Sequence, residues 1–189
     1  RSHGPTTAGG GSAAGVGGPV ISTLKPHIPT PMLSPEVISY AQRSVLAWLA
    51  TVDGNGCPNV SPKEVFAVFD NRCFVIANIA SPTSVANLAV NGLACLSFVD
   101  VFVQKGFKVK GRAEVVPRDH ANYAQWVLPL EEMTQGKFPI HSVIVLYPSA
   151  VEPIVAPSYR LYPSETTEQS QTLSALRAYG VAPHMQDHA

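Results

Sequence analysis

The chain has 189 residues and a formal net charge of zero, with 46% hydrophobic and only 14% charged residues. This length predicts one domain with a sizeable core, and the neutral charge argues against a nucleic-acid-binding protein. No stretch approaches the ~18 apolar residues of a membrane span, so we expect no membrane segment. Three cysteines without C-x-x-C spacing, and no apolar signal region at the N-terminus, predict a soluble cytoplasmic protein.

The chain begins with two segments whose composition differs from that of a folded domain. Residues 1–20 are mostly glycine, alanine, serine and threonine, a composition typical of a flexible leader. Residues 21–35 contain four prolines and predict an extended arm. We expect the folded domain over residues 36–150. A C-terminal extension over residues 151–189, with one helix, is expected to belong to the same unit.

Apolar runs separated by short turns predict six strands and a few helices. Ser34 and Pro35 predict the start of a first helix that ends near Arg43. Tight turns at residues 53–56 and 70–71 connect the first three strands as hairpins. The expected strands cover residues 45–52, 57–69, 73–79, 93–103, 107–116 and 141–147, and the later helices cover residues 84–90, 117–128 and 166–179.

The connections between these strands are short, which predicts antiparallel pairing. A sheet with such apolar strands would aggregate through exposed edge strands. Closure of the sheet into a small barrel removes these edges. We therefore predict a mainly β fold with peripheral helices, built as a closed antiparallel barrel.

The turn after the third strand is the strongest indication of a ligand site. Asn78, Ser81, Thr83 and Ser84 bring hydroxyl and amide groups to the start of a short helix. Free backbone N–H groups and the helix dipole favour an anion there, which predicts the phosphate of a cofactor. Ordinary capping of the helix by Ser81 or Thr83 explains the same residues without a ligand. The sequence leaves both explanations open.

Two groups of lysines could meet such an anion. With a two-residue alternation, Asn59, Ser61 and Lys63 share one face of the second strand. Lys63 could there neutralise a phosphate, or it could lie on a solvent-exposed face beside Glu64. A second cluster of polar side chains lies later in the sequence. It could supply the counter-charge of a reduced flavin, or it could simply form the half-exposed surface of a strand. It consists of Gln104, Lys105, Lys108 and Lys110.

Metal ligands and catalytic side chains are not indicated. His184 and His188 have the spacing of a helical metal-binding pair, but they lie at the chain end after Pro183. We therefore expect no metal site. The sequence has no nucleophile elbow, Walker loop or G-x-G-x-x-G motif, and we assign no catalytic residue.

Taken together, residues 46–63, 78–88 and 97–111 resemble the pyridoxamine 5′-phosphate oxidase-like family of FMN-binding split barrels. The last two stretches are most similar to a group of small uncharacterised flavoproteins within that family. The resemblance spans about residues 36–150. It implies a six-stranded antiparallel split β-barrel that forms a homodimer, with two FMN molecules bound between the subunits.

The same resemblance implies three sources of FMN contacts. These are the strand that holds Lys63, the turn at residues 81–84, and the partner subunit's residues 104–108. The implied cofactor-binding residues are Ser61, Pro62, Lys63, Ala77, Asn78, Ser81, Thr83, Ser84, Asn87, Gln104, Lys105 and Lys108.

The chain departs from this family at two places. Thr83 and Ser84 stand where classical members have an arginine–lysine pair, so hydroxyls, backbone N–H groups and Lys63 would bind the phosphate. Residues 183–188 do not match the basic substrate motif of the true oxidases. We therefore predict an activity other than vitamin B6 oxidation.

The resemblance implies that the protein is an FMN-dependent oxidoreductase. It would move hydride or electrons between a nicotinamide nucleotide donor and an acceptor that the sequence does not identify. One alternative is a non-enzymatic flavin carrier or redox sensor. The others are a haem-handling split barrel, for which His184 and His188 are the only hint, and a deazaflavin-dependent reductase. One fold can host all of these functions.

Overall fold

The structure of the protein is a computed structural model that describes residues 32–182. The predicted leader, most of the predicted arm, and His184 and His188 lie outside the described residues. The helices are α1 (Pro35–Arg43), α2 (Pro82–Val90), α3 (Tyr123–Thr134), α4 (Ser158–Leu161) and α5 (Glu168–Tyr179). The strands are β1 (Ala47–Val52), β2 (Pro58–Lys63), β3 (Phe66–Phe69), β4 (Cys73–Asn78), β5 (Leu93–Asp100), β6 (Lys105–Pro117) and β7 (Ser142–Val155).

The described strands form a single antiparallel sheet in the order β2-β1-β5-β6-β7-β4-β3. The two edge strands, β2 and β3, are consecutive in the chain and are separated only by Glu64 and Val65. Because one short stretch of chain forms both edges, the sheet must curl until its edges meet at Glu64 and Val65, which makes a barrel. The predicted antiparallel, mainly β fold is confirmed, and the predicted run over residues 57–69 divides into two strands.

The hairpin turns form where the sequence predicts them. Asp53 Oδ1 accepts hydrogen bonds from the backbone N–H groups of Asn55 and Cys57, both at 2.8 Å. Asp70 and Asn71 adopt φ angles of 50° and 54°. Two consecutive left-handed residues match the right-handed twist of the flanking strands, as in tight hairpins. These turns fix the register of β1 with β2 and of β3 with β4.

Two apolar cores lie on opposite faces of the sheet. The first fills the barrel, and its largest fully buried side chains are Phe74, Phe98, Leu49, Ile76, Leu96, Ile144 and Leu146. The second lies between α3 and the outer face of β4 and β7, where Val75, Val143, Val145 and Leu130 are fully buried. Since both faces of β4 and the first half of β7 are covered, these strands are apolar throughout instead of alternating.

Side-chain caps begin two of the helices: the predicted cap of α1 is confirmed, and α5 begins two residues later than predicted. Ser34 Oγ accepts a hydrogen bond from Val37 N (3.3 Å) at the start of α1. Thr167 and Ser170 form a reciprocal capping box at the start of α5. No helix within residues 32–182 is long and apolar enough to cross a membrane.

The predicted bounds of α3 and β7 are wrong. Residues 118–122 form turns, so α3 begins at Tyr123, and it continues past Pro129. Burial of Leu130 in the second core offsets the helix-breaking effect of that proline.

β7 does not end at Tyr147 but continues to Val155. Its second half pairs with β6 but extends beyond β4. Pro148 and Pro153 lie in this half, where one side of the strand needs no ladder hydrogen bonds.

Candidate functional site

Lys63 is a buried cation that has no counter-charge in residues 32–182. Lys63 is only 4% exposed, and its ammonium forms no salt bridge with any residue between 32 and 182. Its ammonium donates hydrogen bonds to Ser61 Oγ (2.7 Å) and to Ser81 Oγ. Burial lowers the pKa of Lys63 from its ordinary value. The alternative of a solvent-exposed lysine is wrong, and the charge is available to an anion from outside the chain.

The geometry of β2 places Lys63 and Ser61 on the same face. They lie opposite Ala47 and Leu49 of β1, whose side chains are fully buried in the barrel. The confirmed two-residue alternation therefore directs both polar groups inward at the end of the sheet. There they meet the turn between β4 and α2.

Ser81 occupies the N-cap position of α2 but does not cap the helix with its side chain. Its hydroxyl instead accepts the hydrogen bond from Lys63, so the simple capping explanation is wrong for this residue. Asn78 holds the turn in place: its Oδ1 accepts from Ser81 N (3.2 Å), and its Nδ2 donates to Ser142 Oγ (2.9 Å) on β7. The turn is thereby fixed with the Ser81 hydroxyl pointing at Lys63.

A cavity of about 350 Å³ opens beside these groups. This volume is in the range of small-molecule sites. Five of the predicted residues line it, namely Ser61, Pro62, Lys63, Ala77 and Ser81. The other lining residues are Glu64, Val65, Ile79, Ala80 and Phe138.

Phe138 is the lining residue that sequence reasoning missed most clearly. It follows α3, far along the chain from the strand and the turn that carry the other residues. An isolated aromatic residue beside a proline carries no sequence signal of a binding site. Only the packing of α3 on β4 and β7 brings this loop to the cavity.

The remaining predicted residues of α2 differ in their surroundings. Thr83 is exposed, whereas Ser84 and Asn87 are buried. Asn59 Nδ2 lies 3.4 Å from both Ser84 Oγ and Thr51 Oγ1, and Asn87 Nδ2 donates to Thr51 Oγ1 (3.1 Å). This polar network attaches α2 to β1 and β2. Ser84 and Asn87 therefore position the start of the helix instead of lining the cavity.

The second predicted group, around residues 104–110, lies elsewhere on the protomer. Lys105 Nζ is 2.9 Å from Glu168 Oε1 and 4.4 Å from the centre of the Tyr159 ring. Lys108 and Lys110 both pair with Glu152, at 2.9 and 2.6 Å. Hydrogen bonds from Lys110 and Lys108 lower the pKa of Glu152 to about 2.

Strand register shows which way Lys108 points. Lys63, Ala47, Phe98 and Phe107 lie opposite one another across four strands, so they share one face of the sheet. Lys108 is the neighbour of Phe107 and therefore projects from the opposite face. Lys63 and Lys108 of one protomer do not meet.

Gln104, with φ of 56°, forms the turn before β6, and its carbonyl accepts from Ala156 N (3.1 Å).

The cavity can bind one anionic group with high chemical complementarity. One ammonium and two hydroxyls line it, next to the start of α2, and Glu64 is the one carboxylate among the lining residues. A phosphate monoester suits such donors, because it accepts several hydrogen bonds and carries negative charge.

Several solved structures share this fold, including those of HupZ, an FMN-binding protein and HutZ. HupZ from Group A Streptococcus is 24% identical, with 66% of this chain and 96% of that chain covered and a TM-score of 0.57. An FMN-binding protein from Syntrophomonas wolfei is 17% identical, with 62% and 86% covered and a TM-score of 0.53. HutZ, the haem storage protein from Vibrio cholerae, is 22% identical, with 66% and 95% covered and a TM-score of 0.52.

Sequence identities this low show a common fold only. The ligand of each of these proteins is a property of that protein and is not transferred to this chain. No curated protein matches the chain. The sequence model of the pyridoxamine 5′-phosphate oxidase family, in contrast, matches residues 33–157, which include the whole sheet and the cavity beside Lys63. With the split-barrel topology, this match shows that the chain belongs to the pyridoxamine 5′-phosphate oxidase family.

Proposed function

We propose that this protein is an FMN-binding flavoprotein whose cofactor phosphate is held by Lys63, Ser61 and Ser81. The observation that carries the proposal is the buried ammonium of Lys63, which has hydroxyl partners but no carboxylate within residues 32–182. A phosphate would supply the missing negative charge, and its hydrogen bonds to a charged donor are stronger than neutral ones. The haem alternative lacks a comparable observation in the described residues, whereas a deazaflavin that carries a phosphate would use the same lysine.

The site residues fit an FMN phosphate in number and chemistry. Lys63 would neutralise charge, Ser61 and Ser81 would orient the phosphate oxygens, and Asn78 would keep the turn in place. Phe138 contributes an aromatic side chain to the lining of the cavity. When bound, FMN supplies hydride and electron transfer, while the protein binds and orients it.

We further propose that the protein is an oxidoreductase that uses a nicotinamide nucleotide as electron donor. The chain would contribute binding and orientation, since we assign no catalytic acid or base to it. Absorption spectra of the purified protein, titrated with FMN and then NADPH without oxygen, test the proposal. Flavin bands that bleach with NADPH support a reductase, whereas binding without bleaching favours a carrier, a sensor or another donor. Absence of FMN uptake contradicts the proposal.

Replacement of the two hydroxyls tests the phosphate site directly. We expect the double variant Ser61→Ala, Ser81→Ala to bind FMN about 30-fold more weakly, because each of the two lost hydrogen bonds to the phosphate contributes about 1 kcal/mol. Fluorescence quenching of FMN during titration measures this affinity. Thr83→Ala is the matched control, since Thr83 is exposed and does not line the cavity. Equal losses in both variants would mean that the phosphate lies at the outer end of α2.

The family resemblance also leads us to propose a homodimer with FMN between the subunits. An exposed apolar patch on the outer face around β1 supports this proposal, since monomers rarely expose such patches. Its members are Val45, Trp48, Val60, Val101 and Phe102. The strand register places Trp48 in the same outward row as Pro62 and Lys108. Docking of this face would bring one subunit's Lys108 near its partner.

The dimer proposal predicts that a substitution at Trp48, which is 46% exposed, strongly weakens dimerisation. We expect Trp48→Glu to weaken dimerisation at least about tenfold, because it buries a charge at an apolar contact. Light scattering over a range of protein concentrations measures the change. Leu128→Glu, an exposed apolar position on α3, is the control. A monomeric wild-type protein, or a Trp48→Glu dimer of unchanged affinity, contradicts the proposal.

A further inference from the structure

A second cleft lies on the other side of Glu64 from the Lys63 cavity. It has a volume of about 450 Å³ and lies between the end of α1, strand β3 and helix α3. Glu64 is the one residue that lines both the cleft and the Lys63 cavity. A molecule bound in this cleft would therefore be a close neighbour of a ligand bound at Lys63. The volume suits a molecule of two or three fused rings.

The walls of the cleft are mainly apolar. Val68 comes from β3, Val45 from the segment after α1, and Met133 from α3. Phe66 also lines the cleft, but it is only 5% exposed and its ring stacks on Phe98 inside the barrel. Met133 is 51% exposed, so its flexible thioether is free to adapt to a ring. Small-molecule sites combine such apolar surfaces with a few polar groups that fix the orientation of the ligand.

The polar groups of the cleft select the sign of the ligand's charge. Glu64 is its only charged residue, and no lysine, arginine or histidine is among the described residues that line it. Ser44 Oγ donates its proton to Tyr40 O (2.7 Å), so its hydroxyl can only accept from a ligand. Gln42 also lines the cleft, and its carboxamide can donate or accept, so the charge preference of the cleft comes from Glu64. Glu64 favours a ligand that carries positive charge and repels a phosphorylated one.

Glu64 itself has a free carboxylate within residues 32–182. It forms no salt bridge there, and neighbouring Lys63 directs its ammonium to Ser61 and Ser81. Glu64 lines both the cleft and the Lys63 cavity, whereas Lys63 lines only its own cavity. The cleft therefore has the negative charge of Glu64 without the positive charge of Lys63.

From this geometry we infer that the cleft between α1, β3 and α3 is a binding site for a flat aromatic cation, with Glu64 as its counter-ion. The inference goes beyond the proposed FMN site and does not depend on it. The cleft takes a nitrogen-containing aromatic ring system, whose ring faces lie against Val45, Val68 and Met133. The positive or hydrogen-bond-donating nitrogen lies toward Glu64.

The test uses proflavine, a fluorescent tricyclic cation, titrated into the FMN-free full chain. We expect one molecule bound per protomer, with at least about tenfold weaker binding in Glu64→Gln and in Met133→Lys. Met133→Lys places a like charge in the cleft without touching the Lys63 cavity. Leu128→Lys, an equally exposed position of the same helix, is the matched control and should bind normally.

Two further measurements distinguish the cleft from other sites. The anionic dye 1-anilinonaphthalene-8-sulfonate should bind at least about tenfold more weakly than proflavine if Glu64 selects charge. Lys63→Met should leave proflavine binding unchanged, since stronger binding would place the dye in the Lys63 cavity. The inference is overturned by that result, by no binding of proflavine, or by equal affinity in Met133→Lys and Leu128→Lys.

Discussion

Lys63→Met is expected to bind FMN about 10- to 100-fold more weakly than the wild-type protein, and yet to be more stable without FMN. The loss of affinity follows from removing a charged donor to the phosphate, which contributes about 1.5–3 kcal/mol. The gain in stability follows because the wild-type protein buries an ammonium without a counter-charge. Burying a charge without a counter-charge costs free energy, and the apolar methionine side chain removes this cost. FMN titration and urea denaturation measure the two effects.

The pH dependence of stability separates this explanation from simple loss of packing. Burial lowers the pKa of Lys63 in the folded protein below its value of 10.5 in the unfolded chain. At any pH between the folded and the unfolded pKa, the unfolded chain therefore binds more protons. The free energy of unfolding of the FMN-free wild type should therefore rise with pH in that window, and Lys63→Met should lack this contribution.

Lys110→Met removes one exposed positive charge elsewhere and is the control for both measurements. Equal FMN affinity in Lys63→Met and the wild type would contradict the phosphate site. A less stable Lys63→Met protein would contradict the uncompensated charge.

Gly111→Ala is expected to destabilise the fold by about 3 kcal/mol or more, or to prevent folding. A Cβ atom at this position would lie 1.9 Å from Tyr147 O, on the adjacent strand β7. The carbonyl cannot move away, because Gly111 lies at a bulge within the long β6–β7 ladder. Thermal and urea denaturation of the FMN-free protein measure the loss.

Gly54→Ala is the matched control for this prediction. A Cβ atom there would meet only Val90 Cγ1 at 3.2 Å, and this side-chain tip can shift. We expect a change within about 1 kcal/mol. If Gly111→Ala were as stable as Gly54→Ala, the close approach of β6 and β7 at the bulge would be incorrect.

The sequence predicts most strands correctly because their ends are marked by local chemistry. Residues 53–56 and 70–71 adopt turn conformations that few other residues favour, and Ser34 and Thr167 begin helices by capping them. The bounds of α3 and β7 are decided instead by burial of Leu130 and by the extent of β4 beside β7. Both depend on contacts between distant parts of the chain.

The candidate site was predictable in its residues but not in its electrostatics. Alternation along β2 is enough to place Ser61 and Lys63 on one face, and the hydroxyl-rich turn is visible in the sequence. Whether Lys63 is buried depends on closure of the barrel at residues 64–65, which brings Ser81 to its ammonium. Phe138 and the second cleft depend on where α3 packs, and nothing local in the sequence determines that position.

The origin of both sheet edges in one short stretch has a consequence for folding kinetics. The β1–β2 and β3–β4 hairpins are local and can form early, whereas β7 must insert between β4 and β6 before the barrel closes. The loop with Phe138 leads directly into β7, so the cavity beside Lys63 is complete only after this long-range step. A bound ligand should therefore slow unfolding and leave the folding rate nearly unchanged. Its protection would be kinetic, as a longer lifetime of the folded barrel.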